Sequence, residues 1–154
     1  MKTLTFELRH RGLFRRFLGL LVLALFLSTC SDSTTPLLTF WEGALDPVGP
    51  NVLGGRVVAV TQHGRTNVGI SIRDGDPETT YGWRMSSGTC DQEGAILSGP
   101  AAYPPLLTGQ GGSATAEAVI STLFKPGLQF SARVFRSEDG DPEEVVACGD
   151  LEQT

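Results

Sequence analysis

The sequence predicts an all-β domain, a sandwich or barrel of about seven or eight strands. Short runs rich in β-branched and aromatic residues alternate with clusters of Gly, Pro, Asn and Asp roughly every 8 to 15 residues, a pattern typical of antiparallel sheets. No long stretch has apolar residues at helical spacing. The 125 residues from Cys30 onward are enough for one domain with its own core.

The first 29 residues are expected to be a signal peptide that does not belong to the fold. Five basic residues and one acidic residue precede Phe17–Leu27, an apolar run of 11 residues. A helix that spans a membrane needs about 20 apolar residues, so the shorter run indicates a secretory signal.

The signal ends in Leu27-Ser28-Thr29-Cys30, which resembles the lipobox of bacterial lipoproteins. The resemblance implies that Cys30 is lipidated and anchors an exported chain in the bacterial cell envelope, at the outer membrane or the periplasmic face. Thr29 stands where that family usually has Gly, Ala or Ser, so a plain cut that leaves a free Cys30 stays open. The polar residues 30–36 suit a flexible tether.

The cysteine count predicts a disulfide between Cys90 and Cys148. The chain has three cysteines, and an odd number in an exported chain asks for an explanation. Lipidation of Cys30 leaves the other two as a pair, which an oxidising compartment would allow to close. Two free buried thiols are the alternative.

The domain is expected to span 37–151, followed by a tail at 152–154. Seven of its segments are predicted as strands. They are Leu37–Ala44, Gly55–Gln62, Thr66–Arg73, Thr79–Met85, Ser113–Thr122, Gln129–Arg136 and Glu143–Ala147. Continuous apolar character predicts that Val57–Val60 is buried on both faces. Alternation predicts one buried face in the third strand (Val68, Ile70, Ile72). In the sixth it places Phe130, Ala132, Val134 and Arg136 on one face, with Arg133 and Phe135 on the other. The small residues of the fifth segment also allow a short helix.

Two segments are predicted as loops. Asp46–Asn51 contains two prolines, which cannot donate to a ladder. Gly94–Gly112 is long and rich in Gly and Pro, so it is expected to be functional or packed by its own side chains. Tyr103, Leu106 and Leu107 are the expected packing residues.

The pentapeptide Asp-Gly-Asp-Pro-Glu occurs twice, at 74–78 and 139–143. The carboxylates of Asp74, Asp76, Asp139 and Asp141 offer hard oxygen ligands for a cation such as calcium. The spacing fits no EF-hand, and a hairpin turn in which Asp-Gly supplies the positive φ is the interpretation that the pattern favours.

Several short motifs resemble the superoxide dismutase-like domains of exported bacterial proteins. They are Gly82-Trp83, Gly88-Thr89-Cys90, Gly94–Leu97, Tyr103–Leu106 and Val146–Leu151, which contains Ala147-Cys148-Gly149. The resemblance implies a Greek-key β-sandwich or flattened barrel. It also implies a disulfide between the cysteine after the first metal-binding strand and the cysteine near the C-terminus, which agrees with the pairing reached from the count.

The residues that bind metal in copper/zinc dismutases are missing. The family pattern is Gly-Phe/Trp-His-x-His, and here Arg84 and Ser86 occupy the two histidine positions. The family strand that carries a later ligand corresponds to about Val134–Arg136, which has no histidine. The family's arginine that guides the anionic substrate would fall at about Val145 and is also absent. Since a redox copper site needs several imidazoles, no copper cofactor and no dismutase activity are expected.

Other catalytic chemistry has little support in the sequence. His63, the single histidine from Cys30 onward, lies in Gln62-His63-Gly64-Arg65, which favours an exposed hairpin tip over a catalytic base. No Gly-x-Ser-x-Gly elbow and no Cys-x-x-Cys motif is present. The aromatic residues Phe40, Trp41, Tyr81 and Trp83 are expected in the core, with a binding face as the alternative.

The charge from Cys30 onward is strongly negative, with 16 acidic and 7 basic residues giving −9. An acidic chain without a basic aromatic patch disfavours nucleic acid as a partner. The sequence therefore predicts a non-catalytic, lipid-anchored envelope domain that is structural or binds an unidentified ligand or protein. A metal-binding protein or enzyme that uses acidic ligands is the alternative.

Overall fold

A computed structural model describes residues 38–136 and 144–154, which belong to one compact unit, Pro36–Thr154. The expected signal peptide, Cys30, the tether, Asp139 and Asp141 lie outside the described residues. The structure contains nine strands and one 3-10 turn at Pro100–Ala102. The strands are β1 Thr39–Pro47, β2 Gly54–Gln62, β3 Arg65–Arg73, β4 Thr80–Gly88, β5 Glu93–Ile96, β6 Leu106–Leu107, β7 Ala114–Ile120, β8 Phe130–Phe135 and β9 Val145–Gln153.

All nine strands form one antiparallel sheet that curls into a half-barrel, so the all-β barrel or sandwich prediction is confirmed. The order is β5-β4-β8-β9-β1-β2-β3-β7, and β6 pairs with β4 beside β5. One half holds β1, β2, β3 and β7, the other holds β4, β5, β6 and β8, and β9 joins them by pairing with β1 and β8. The connections from β3 to β4, from β6 to β7 and from β7 to β8 cross between the halves, as in Greek-key sheets.

The seven predicted strands all form, with bounds shifted by a few residues. The segment at 114–120 is a strand and not the alternative helix. The last strand is longer than predicted and runs through Glu152 and Gln153, which pair with Glu42 and Trp41, so the segment expected as a tail is largely part of the sheet. Two strands were not predicted, because β5 has four exposed residues and β6 only two residues.

The prediction that 46–51 forms a loop is wrong for its first two residues. Asp46 and Pro47 pair with Cys148 and Ala147 of β9. Pairing of β1 with β2 ends at Leu45, so Pro47 has a strand neighbour on one side only. A proline is tolerated at such a position because its missing N–H is not required there.

The core lies on the concave face of the curled sheet, and alternation decides which residues enter it. The predicted buried face of β3 is confirmed, and Phe130, Ala132 and Val134 share a buried face of β8 as predicted. Arg136, predicted on the same face, follows the end of β8 and its side chain is 40% exposed. The prediction for β2 is wrong in one respect: Val57 and Ala59 are buried, but Val58 is 38% exposed. Strand β2 therefore buries one face, although its sequence is apolar on both.

The long segment after β5 is packed by its own side chains, as expected. Tyr103 and Leu106 are buried, and the indole of Trp83 donates a hydrogen bond to the Pro104 carbonyl at 2.7 Å. Leu107 was predicted to help and is instead 67% exposed, because the next residue along β6 must point to the opposite face.

Residues with positive φ occur in the β2–β3 turn and at the start of the connection from β3 to β4. His63 and Gly64 form the two-residue turn between β2 and β3, and both have positive φ, which is the preferred geometry for such a hairpin. The prediction that 74–78 forms a hairpin turn is wrong, since β3 and β4 do not pair and the segment crosses between the halves. Asp74, and not Gly75, takes the positive φ of 59°.

Candidate functional site

Strand β4 carries Arg84 and Ser86, the two positions that the resemblance to dismutases aligns with histidine ligands, and its alternation places them on the convex face. Tyr81, Trp83 and Met85 point into the core. Arg84 and Ser86 point to the opposite face, where they are nevertheless largely shielded: Ser86 is buried and the Arg84 side chain is 15% exposed. Something on the convex face must therefore cover them.

The cover is Glu93, the first residue of β5, whose carboxylate gathers four donors. Its Oε1 accepts hydrogen bonds from Ser86 Oγ at 2.8 Å and from Arg84 Nη2 and Nε at 2.9 and 3.2 Å. Its Oε2 lies 3.3 Å from Arg133 Nη1. We call Arg84, Ser86, Glu93 and Arg133 the glutamate cluster. It joins three strands, because Arg133 belongs to β8, the neighbour of β4.

The electrostatics of the cluster favour an ionised carboxylate. Burial raises the pKa of Glu93, but the hydrogen bonds from Ser86 and Arg84 and the positive charges of Arg84 and Arg133 outweigh that effect and lower the pKa below its ordinary value. Arg84 also lies over the ring of Phe135, 4.6 Å from its centroid, and Phe135 is buried although it lies on the face of β8 opposite Phe130.

Arg133 connects the cluster to the disulfide. Its Nη2 donates to the carbonyl of Cys90 at 2.9 Å. The Cys90 amide in turn donates to Asp150 Oδ1 at 2.7 Å, and Asp150 lies in β9 opposite Ser131. The loop that carries Cys90 is therefore held from both sides by charged groups.

The disulfide between Cys90 and Cys148 is present, as predicted, with a Cα–Cα distance of 5.9 Å. It links the connection between β4 and β5 to β9, across a sequence separation of 58 residues. The bond, Arg133 and Asp150 together fix the connection over the convex face, and this in turn positions Glu93 over Arg84 and Ser86.

The arrangement has consequences for the chemistry of this face. The guanidinium groups of Arg84 and Arg133 are positively charged and therefore repel a metal cation at this face. The Ser86 hydroxyl donates to a carboxylate whose pKa is lowered, and such a carboxylate is a weak general base. The contacts of the glutamate cluster link β4, β5 and β8 on the convex face.

The first acidic pentapeptide is engaged in structural contacts. Asp76 forms an ion pair with Arg136 and accepts a hydrogen bond from the Tyr81 hydroxyl at 3.3 Å. Asp74 lies 3.6 Å from Arg73, and both side chains are mostly exposed. Within 38–136 and 144–154 no three His, Cys, Asp or Glu residues are grouped so as to hold a metal ion.

The remaining sequence candidates fall at separate places. His63 is exposed at the β2–β3 turn. Trp41, Tyr81 and Trp83 are buried in the core, as expected, whereas Phe40 is 47% exposed. Arg136, which follows the strand that would carry a later metal ligand, bridges Asp76 and Glu144.

A shallow groove of about 820 Å³ runs along the convex face beside the disulfide. Five acidic residues and two arginines line it, together with Cys90, Cys148 and backbone: Glu42, Asp46, Asp91, Asp150, Glu152, Arg56 and Arg73. Arg56 is paired with Glu42 and Arg73 with Asp74. The groove is therefore negatively charged.

Sequence reasoning missed Glu93, Arg133 and Asp150. A signal for Glu93 existed: a lone acidic residue directly before the motif Gly94–Leu97 and close to Cys90. Alternation places Arg133 on the face of β8 opposite Phe130, but nothing in the sequence indicates that the connection after β4 folds back over it.

Comparisons with known proteins add no relationship. No protein-family model matches the chain, and neither the curated proteins nor the solved structures contain a significant match. A search of the described residues for helices found none with the length and apolar character needed to cross a membrane.

Proposed function

We propose that this chain is a non-catalytic, lipid-anchored domain of the bacterial cell envelope, built on a degenerate superoxide dismutase-like scaffold and serving a structural or binding role. The observation that carries the proposal is the glutamate cluster. At the two positions where the resembled family has histidines, the side chains of Arg84 and Ser86 are committed to Glu93.

The charge of this face supports the same proposal. A copper site requires neutral imidazoles that present lone pairs to the cation, whereas Arg84 and Arg133 present only donors and positive charge. Crossed connections between the two halves of the sheet and the disulfide from Cys90 to Cys148 agree with a scaffold of the resembled kind.

The anchor is supported by the sequence alone. Cys30 follows a basic and apolar leader that ends in Leu27-Ser28-Thr29, and residues 30–36 are polar enough to tether a domain to a membrane surface.

Two measurements test the proposal. Mass spectrometry of the chain expressed in an exporting bacterium should show lipid on Cys30, and a Cys30→Ser variant should leave the membrane fraction. Titration of the purified protein with copper should show no tight stoichiometric site, and EDTA should leave its melting temperature unchanged. A tight 1:1 copper complex or dismutase turnover would overturn the non-catalytic assignment, and an unmodified Cys30 would overturn the anchor.

A further inference from the structure

The two ends of the curled sheet differ in charge. We call the end formed by the start of β1, the β2–β3 turn and the connection from β7 to β8 the hairpin end. Four of the stretches that form it, 38–41, 60–68, 118–129 and 153–154, contain no acidic residue. The turn after β4 also adjoins this end, since the Gly88 amide donates to the Gln129 carbonyl; it contains Asp91 and Glu93, and Glu93 is paired with Arg84 and Arg133. The opposite end carries Asp46, Asp74, Asp76, Glu78 and Glu144, according to the register of the strands.

The basic residues show the same asymmetry. Five of the seven arginines and lysines after Cys30 form ion pairs: Arg56, Arg73, Arg84, Arg133 and Arg136. The other two are Arg65 and Lys125, and neither is in an ion pair with a described residue. Arg65 begins β3 beside the turn, and Lys125 lies in the β7–β8 connection, so both belong to the hairpin end.

Large apolar side chains are exposed at this end. Leu38, Phe40, Val119, Leu123 and Leu128 are between 38 and 56% exposed. Register places Phe40, Val60, Asn67 and Val119 in one row across four strands of the convex face. Exposed apolar residues also occur at the opposite end, at Val48, Val52 and Leu107, but there they stand among acidic residues.

Aromatic packing by Phe124, Phe130 and Trp41 fixes the β7–β8 connection at the hairpin end. Phe124 is buried, stacks on Phe130 at 3.9 Å between ring centroids and meets Trp41 edge to face at 5.8 Å. The Thr66 hydroxyl donates to the Thr122 carbonyl at 2.7 Å. With Phe124 turned inward, its neighbours Leu123 and Lys125 are held at the outer surface.

We propose that the hairpin end docks on a phospholipid surface, with the apolar side chains in contact with the lipid interface and Arg65 and Lys125 at the level of the headgroups. Exposed apolar area together with basic side chains is the composition that binds membrane interfaces. The inference rests on the proposed anchor for its geometry: the eight residues 30–37, which precede Leu38, reach at most about 28 Å, and β1 begins at the hairpin end.

The acidic residues of the opposite end do not oppose this orientation. Glu42, Glu117 and Glu152 lie nearer, one or two residues from the hairpin end along their strands, and of these Glu42 is paired with Arg56. A nine-residue strand is roughly 30 Å long, and the Debye length at physiological ionic strength is about 8 Å. The acidic end is therefore screened from a membrane at the hairpin end. In the reverse orientation, the acidic side chains would face the anionic lipid directly.

The test places a fluorescent reporter at each end. Phe40→Trp marks the hairpin end, and Val52→Trp, which replaces the 71% exposed Val52, is the matched control at the opposite end. The full chain, lipidated on Cys30, is reconstituted in vesicles of phosphatidylcholine and phosphatidylglycerol whose acyl chains carry bromine. Bromine should quench the fluorescence of the tryptophan introduced by Phe40→Trp. Val52→Trp should show no more quenching than the native protein, which contains Trp41 and Trp83. Equal quenching of both variants, or of neither, would overturn the proposal.

A failure of the anchor is recognised separately by mass spectrometry, because a chain without lipid lacks the mass of the acyl groups on Cys30. The same two variants are then mixed with an excess of the brominated vesicles, and absence of quenching in Phe40→Trp contradicts docking. In a Cys30→Ser chain, Arg65→Ala and Lys125→Ala should each weaken partition onto the anionic vesicles about fivefold, whereas Arg73→Ala at the opposite end should not weaken it. A dimer formed without vesicles and abolished by Phe40→Ser would show that a second copy covers this surface, and would overturn the proposal.

Discussion

Replacing Glu93 with Gln tests whether the glutamate cluster holds the convex face together. The substitution keeps the shape of the side chain and an acceptor for Ser86, but removes the negative charge between Arg84 and Arg133. The side chains of these two arginines are 15% and 13% exposed, and that of Glu93 is 24% exposed. Both guanidinium groups would remain close together, with little water to compensate for the lost partner.

The expected loss follows from that exposure. Removing one partner of a fully buried ion pair costs about 3–5 kcal/mol, and a surface pair contributes about 0–1 kcal/mol. With roughly a quarter of Glu93 in water, we expect Glu93→Gln to lower the free energy of unfolding by about 2–3 kcal/mol. Urea unfolding followed by tryptophan fluorescence measures this loss, provided that the free energy of unfolding falls with urea concentration at the same slope in both proteins.

Glu42→Gln is the matched control, since Glu42 pairs with Arg56 while both side chains are about half exposed or more. We expect a loss below about 1 kcal/mol in that variant. Equal small losses in the two variants would refute the reasoning, because water would then be replacing Glu93 as effectively as it replaces an exposed carboxylate.

Three further predictions concern the same region. Cys148→Ser should lower the free energy of unfolding by about 4 kcal/mol, given the loop of 58 residues, and reductant should have no further effect on that variant; an unchanged free energy of unfolding would contradict this. Because the pKa of Glu93 lies below its ordinary value of 4.5, its ionised form stabilises the fold above about pH 4.5, and this contribution is lost as the pH falls below that value. The free energy of unfolding, measured from pH 6 to 3, should therefore decrease less for Glu93→Gln than for the native protein. Gly149→Ala should destabilise by more than about 2 kcal/mol, because its Cβ would overlap the Ala44 carbonyl, whereas Gly99→Ala, with open space around it, should not.

Much of the fold could be predicted because alternation and turn residues are local signals. Val68, Ile70 and Ile72 bury one face as their pattern indicates, and His63-Gly64 forms the predicted hairpin tip. The disulfide followed from counting cysteines. Each of these features depends on few residues and on the chemistry of those residues alone.

The remaining features depend on which strands become neighbours. Val58 is exposed although Val57 to Val60 is apolar throughout, because the sheet covers only one face of β2. The pentapeptide at 74–78 resembles a hairpin turn locally, yet it leads to the other half of the sheet. Glu93 meets Arg133 only after the connection from β4 folds back, which sequence spacing does not show.

The position of β9 has a consequence for how the chain reaches its native state. It follows every other strand in synthesis, yet it is the strand through which the two halves of the sheet are joined, and it also carries Cys148. The nascent chain can form the β1–β2–β3 meander early, but the two halves cannot unite until β9 has emerged. Completion of the sheet is thus delayed by topology, and removal of β9 would divide the sheet between β8 and β1.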